Sequence, residues 1–255
     1  MSEKHYTISY LENTQQLMKD LKMQSYSPLG NIEEGLIADI GCGVGADVLN
    51  MAKLFANPHL QWAGVDHDAQ MIAKANSQKE GMDRVQFYQS EVSALPFDSE
   101  SVSGMRAERL LQHIAQPETV YAEVLRCLKK DRPFVVVETD WQSISFYSVA
   151  AETSQQIADF YTHTKVKNGL AARKLNTELR QAGFRDLQFK VIPMVTSSYE
   201  EAKMFLWVDK MIAEMQELGL LCHDQKTQLL QEFEIADKAG YFVASINMVI
   251  ATCIK

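Results

Sequence analysis

The stretch Leu36-Ile-Ala-Asp39-Ile-Gly41-Cys-Gly43-Val-Gly45-Ala-Asp47 passes from a β-branched apolar run, through three alternating glycines, into an amphipathic run. Few architectures accommodate that succession. The apolar run reads as a buried strand. The glycines permit positive φ and let a ligand approach the main chain, and the following helix opens with unpaired N–H groups and a partial positive charge. A strand, a tight glycine turn and a helix form the opening of a βαβ unit, which predicts a parallel sheet with helices on its faces.

The alternation recurs. Strands are expected at Leu36–Ile40, Gln61–Val65, Val85–Gln89, Ser103–Ala107 and Phe134–Glu138, with helices near Ala46–Phe55, Ala69–Gln78 and Glu118–Lys129 between them. After Trp141 the pattern turns helical over Val149–Thr164 and Ala171–Gln181, the latter stopped by Gly183. Leu187–Val195 and Phe242–Ile254 read as two late strands. Between them one apolar stripe runs from Ala202 to Leu218 and a second helix from Gln225 to Ala239. The expected fold is α/β: a mostly parallel seven-stranded sheet with an antiparallel last strand and a helical lid.

With 33 acidic against 25 basic residues the net charge is −8, which gives no long-range attraction for a nucleic-acid backbone or an anionic membrane. No apolar run approaches the roughly 18 residues of a membrane span, and Met1-Ser-Glu-Lys-His carries no signal core, so a cytoplasmic setting is expected. Cys42, Cys127, Cys222 and Cys253 are scattered, with no metal-ligand spacing, and no metal is expected.

Gly41-x-Gly43-x-x-Ala46 also fits the fingerprint of nicotinamide and flavin enzymes. Asp39 separates the readings, because a carboxylate two residues before the first glycine opposes a pyrophosphate but suits the ammonium of an amino-acid ligand. In Trp62-Ala-Gly-Val-Asp66-His67-Asp68, Asp66 lies where an acid can accept both ribose hydroxyls, while Asp68 is placed to cap the next helix.

These residues resemble the class I S-adenosylmethionine-dependent methyltransferases, and within them the ubiquinone- and menaquinone-biosynthesis-like branch acting on small molecules. The likeness extends to Ser90-Glu91-Val92-Ser93-Ala94-Leu95-Pro96-Phe97, to Met105-Arg106-Ala107-Glu108-Arg109-Leu110-Leu111-Gln112-His113-Ile114 and to Glu123–Lys129, and so covers roughly Leu36 to Asp140. It implies a Rossmann-like methyltransferase fold, with the cofactor held by Asp39, Gly41, Cys42, Gly43, Asp66, His67, Met71, Glu91, Val92, Arg106 and Ala107. Two departures stand out: Glu91 replaces the usual aspartate, and Lys130-Asp131-Arg132-Pro133 replaces the usual Pro-Gly-Gly turn.

The chain then divides into an N-terminal lid segment (1–34), the cofactor core (35–140), lid helices with the sixth strand (141–198), a helical insert (199–240) and the last core strand (241–255). His113, at the edge where open α/β sheets bind ligands, is the candidate general base, with a packing or hydrogen-bonding role as the alternative. Arg106 and Glu108 are expected beside the methionine end of the cofactor or paired with each other. Asp140, Trp141, Tyr147 and Trp207 are expected to meet the acceptor, and Tyr10, Leu17, Met18, Phe160, Tyr161, Met204 and Met211 to add apolar wall. The expected partner is a small-molecule methyl acceptor, with the protein a monomer or homodimer. The competing functions are a protein methyltransferase, a nicotinamide oxidoreductase and a binder of S-adenosylmethionine without transfer.

Overall fold

Strand β1 (Gly35–Ile40) is buried over its last four residues, and its apolar side chains point to both faces of a sheet. The structure, a computed structural model, describes residues 18–255; Tyr10 and Leu17 lie outside them. β1 feeds the glycine turn and helix α2 (Ala46–Leu54), preceded in the chain by helix α1 (Lys19–Tyr26). There follow β2 (Leu60–Asp66), α3 (Ala69–Gln78), β3 (Val85–Gln89), β4 (Val102–Glu108), α4 (Pro117–Cys127) and β5 (Pro133–Phe146). The remainder is α5 (Ala151–Phe160), a π-helical turn (Tyr161–Lys165), α6 (Ala171–Ala182), β6 (Arg185–Thr196), α7 (Tyr199–Leu206), α8 (Val208–Glu217), α9 (His223–Lys238) and β7 (Ala244–Ile254).

The seven strands form one sheet in the order β3-β2-β1-β4-β5-β7-β6, with β7 antiparallel to both neighbours. The chain reverses its direction of growth between β1 and β4, which opens a crevice at their C-terminal ends. One core lies between the sheet and α4 and α6, around Val120, Val124, Leu175 and Leu179. The opposite face packs α1 and α2 through Leu21, Val48 and Met51. A third cluster, including Ile157, Met211, Ile212 and Phe233, joins α5, α8 and α9 to the far end of β5.

Three expectations are corrected. β5 does not stop at Glu138 but continues to Phe146, because β7 supplies partners for Ser145 and Phe146 beyond an irregularity after Asp140. The Ala202–Leu218 stripe is two helices, broken where Trp207 adopts φ 52°. The helix expected to run to Thr164 is α-helical only to Phe160 and continues as the π turn. Asp131 occupies a left-handed conformation (φ 60°) in the turn where the resembling family places glycine, a geometry that aspartate tolerates better than most side chains.

Candidate active site

The glycine turn is fastened to the end of β2. The N–H groups of Gly41 and Cys42 donate to the Val65 carbonyl at 2.8 and 3.0 Å, and Gly43 N–H donates to Asp66 Oδ2 at 2.9 Å. At Gly45 a side chain is excluded twice over: φ is 76°, and a Cβ would sit 2.5 Å from the Phe87 ring. The other Asp66 oxygen accepts from Asp68 N–H at 2.9 Å, and Asp68 caps α3 by accepting from Gln70 N–H at 2.7 Å.

Behind the turn is a buried ionic cluster drawn from four elements. Asp39 on β1 and Arg106 on β4 are register partners, with Arg106 Nη1 3.0 Å from Asp39 Oδ1. Arg106 also pairs with Glu108 and donates from Nε to Ser25 Oγ at 3.0 Å, while its guanidinium lies over the Tyr26 ring. Lys22 on α1 reaches both Asp47 oxygens at 2.7 Å and Glu108 at 3.3 Å, and the Tyr26 hydroxyl donates to Asp47. Burial pushes the Asp39 carboxyl up to about 7 against the pull of Arg106. For Asp47 and Glu108 burial also opposes the charge, but Lys22 and Arg106 outweigh it and hold both carboxyls below their ordinary range. Arg106 is fully buried, yet Asp47, Glu108 and Asp39 overcome its desolvation and keep it charged.

The other residues expected to meet a cofactor differ in exposure. Cys42 is buried, with its thiol pushed well up by burial, so it contributes packing and main chain rather than a nucleophile. His67 is exposed; Met71, Val92 and Ala107 are buried, and Glu91 is exposed beside Val92.

The turn after β4 carries Gln112 and the partly buried His113. Glu138, wholly buried on β5, accepts from Leu111 N–H at 2.6 Å and so pins the first residue of that turn. Its other oxygen has no partner among the described residues, and burial pushes its carboxyl up to about 8. Trp141 stacks on Tyr161 at 5.2 Å and donates to Gln112 Oε1 at 2.7 Å, while Asp140 is held by Arg173 through bonds of 2.7 and 3.1 Å. The Tyr161 hydroxyl donates to the Leu206 carbonyl, which brings the break at Trp207 to the same wall. Tyr147 corrects the expectation of an enclosed contact: it is 66% exposed and bonded to Ser245 beside the edge strand β6. Met204, at 40% exposure, is likewise not enclosed, whereas Met18, Phe160, Tyr161 and Met211 are buried.

Sequence reasoning missed Lys22, Ser25, Tyr26, Asp47 and Glu138. A signal existed for the first three, since a spacing of three and four residues places them on one helix face.

A family profile described as "Methyltransferase domain" matches residues 34–183, which contain every strand of the crevice. The chain belongs to this methyltransferase family. Relatives of this chain include an uncharacterized 37.1 kDa protein in transposon TN4556 of Streptomyces fradiae, 29% identical over 165 residues that make up 65% of this chain and 47% of that protein. A demethylmenaquinone methyltransferase of Lactococcus lactis is 28% identical over 126 residues, 49% of this chain and 50% of that enzyme. The chain thus spans about half the length of these two relatives. Among solved structures, a Haemonchus contortus phosphoethanolamine N-methyltransferase, in complex with phosphomonomethylethanolamine and S-adenosylhomocysteine, shares this fold. It has a TM-score of 0.63 and 16% identity, and the match covers 99% of this chain and 59% of that one. Among the described residues no helix is long and apolar enough to cross a membrane, and no acidic, histidine or cysteine group has the geometry of a metal site.

Proposed function

We propose that the chain binds S-adenosylmethionine in the crevice at the ends of β1 to β4 and transfers its methyl group to a small molecule. The observation that carries this reading is the placement of Asp66: both oxygens are oriented by main-chain N–H groups, one of them from the glycine turn itself. Each oxygen retains a further lone pair for a ribose hydroxyl.

The charges also fit this ligand. Lys22 and Arg106, the cations behind the turn, are already paired with carboxylates. A pyrophosphate would bring uncompensated negative charge there, whereas an amino-acid zwitterion brings none. The family supports the same ligand, as does the S-adenosylhomocysteine in the Haemonchus contortus enzyme. The demethylmenaquinone methyltransferase supports a small acceptor.

When bound, the sulfonium supplies a methyl group already activated for displacement. The chain's own residues orient and exclude water. Asp66 would hold the ribose, the N–H groups of the Gly41–Gly45 turn the carboxylate, and Glu91 with Val92 the adenine. Trp141 and Asp140, fixed by Tyr161 and Arg173, would bound the acceptor. A base is required only where the acceptor must lose a proton. The Gln112 amide facing His113 Nε2 at 3.3 Å favours an orienting role for the imidazole over proton removal. The four free thiols, three of them buried, support a reducing compartment such as the cytoplasm.

Thermal unfolding with S-adenosylmethionine, S-adenosylhomocysteine, NAD and NADP tests the ligand. The first two should stabilise by roughly 2.7 kcal/mol at a hundred times their dissociation constant, and stabilisation by NAD or NADP alone would overturn the reading. Transfer of labelled methyl into a metabolite pool supports a small acceptor, and label appearing only in proteins contradicts it.

A further inference from the structure

Gln112 is 0% exposed, and its side-chain amide has its two ends assigned by a neighbour. The Trp141 indole N–H can only donate, and it lies 2.7 Å from one end, which must therefore be the carbonyl oxygen. The other end is the NH2 group. It donates to the Arg109 carbonyl at 3.3 Å and faces His113 Nε2 at 3.3 Å. Because the amide nitrogen cannot accept, Nε2 must. A neutral imidazole that accepts at Nε2 carries its proton on Nδ1.

We infer that Trp141 and Gln112 are positioning residues that fix His113 as the neutral Nδ1–H tautomer, with its Nε2 lone pair committed to the Gln112 amide. The inference rests on reading the crevice as the methyl-transfer site only for its functional meaning, since the tautomer is a property of the unliganded protein. Its consequence is that His113 orients by hydrogen bonding and does not take the acceptor's proton through Nε2.

The geometry is locked from three sides. Trp141 is held by its stack on Tyr161, with ring planes 6° apart, and the Tyr161 hydroxyl is bonded to the Leu206 carbonyl at the end of α7. The Gln112 main chain is held by Asn168, whose N–H donates to the Gln112 carbonyl at 2.9 Å and whose side chain donates to the Leu111 carbonyl at 3.1 Å. On the sheet side, Glu138 accepts from Leu111 N–H at 2.6 Å. The amide thus cannot turn over without releasing the indole, and the ring cannot rotate without losing the amide.

Long-range 1H–15N correlation spectra of the full chain labelled at histidine read the tautomer directly. Only six histidines are present, and the His113→Gln variant assigns the signals by their loss. The expected wild-type pattern at pH 8 is a pyrrole-like Nδ1 and a pyridine-like Nε2 for His113. Trp141→Phe, which lets the amide turn over, should shift His113 toward the Nε2–H form, and Gln112→Leu should do so more completely. A wild-type ring already in the Nε2–H form or doubly protonated would overturn the inference, as would a tautomer unchanged in both variants when they unfold cooperatively. The wild-type spectrum decides even if a variant fails to fold. Loss of the cofactor reading would show instead as no stabilisation by S-adenosylmethionine, with the spectra unaffected.

Discussion

Asp39 and Arg106 sit opposite one another on neighbouring parallel strands, with Arg106 Nη1 3.0 Å from Asp39 Oδ1 and both side chains buried. The pair ties the strand that enters the glycine turn to the strand that leads to Gln112 and His113. It also recruits α1 through Ser25 and Tyr26, so the first described helix is fastened to β4 by polar contacts as well as to the sheet by packing.

Removing the guanidinium leaves Asp39, Asp47 and Glu108 facing each other in a dry site. Arg106→Met is expected to destabilise the fold by about 3–5 kcal/mol. Arg106→Lys should recover only part of this, since one ammonium cannot serve Asp39, Glu108 and Ser25 together. Urea unfolding checks both; a loss of less than ~1 kcal/mol for Arg106→Met, the range of an exposed pair, would remove the cluster from the account.

The carboxyls of Asp47 and Glu108, held below their ordinary values of 3.8 and 4.5, contribute stability that is present above those values and lost as pH falls through the folded-state ones. Lys22→Met should shrink that contribution. Melting temperatures of wild type and variant should therefore differ most at neutral pH, and the gap should begin to narrow once pH falls below about 4, where the unfolded-state carboxyls take up protons.

Glu138 has the opposite sign. Its carboxyl is raised from 4.5 to about 8, so the stability of its neutral form is complete below 4.5 and is lost as pH rises through 8. Glu138→Gln keeps the carbonyl acceptor for Leu111 N–H without a charge to desolvate. Its stability relative to wild type should rise between these limits, by an amount on the order of a few kcal/mol, and level off above them. A difference independent of pH in chemical denaturation would contradict a buried, protonated carboxyl.

Asp66→Ala removes two charge-assisted contacts expected with the ribose and frees Gly43 N–H. Calorimetric affinity for S-adenosylhomocysteine should fall at least about tenfold, equivalent to ~1.4 kcal/mol. Unchanged affinity in a well-folded variant would take Asp66 out of the site.

The parallel half of the sheet was legible because its signals are local: Val85–Gln89 and Ala69–Gln78 coincide with the observed β3 and α3 to the residue. The continuation of β5 was not, because Ser145 and Phe146 pair with Ser245 and Ala244, far along the chain. Nor was the break at Trp207, where an apolar stripe keeps its period through a left-handed residue that composition does not reveal. Around the turn, Asp39 and Asp66 were recognisable from their distance to the glycines. The salt bridge that engages Asp39 depends on β1 and β4 pairing side by side, and the Lys22–Asp47 contact on α1 folding back against α2, long-range arrangements that a local pattern does not fix.

A crystal structure of the chain with S-adenosylhomocysteine tests the central reading most directly. The account predicts the ribose hydroxyls on Asp66 and the amino-acid end against the Gly41–Gly45 turn, with Asp39 and Arg106 still paired. A ligand seated elsewhere, or a nicotinamide dinucleotide occupying the turn with its pyrophosphate over Gly43, would contradict it.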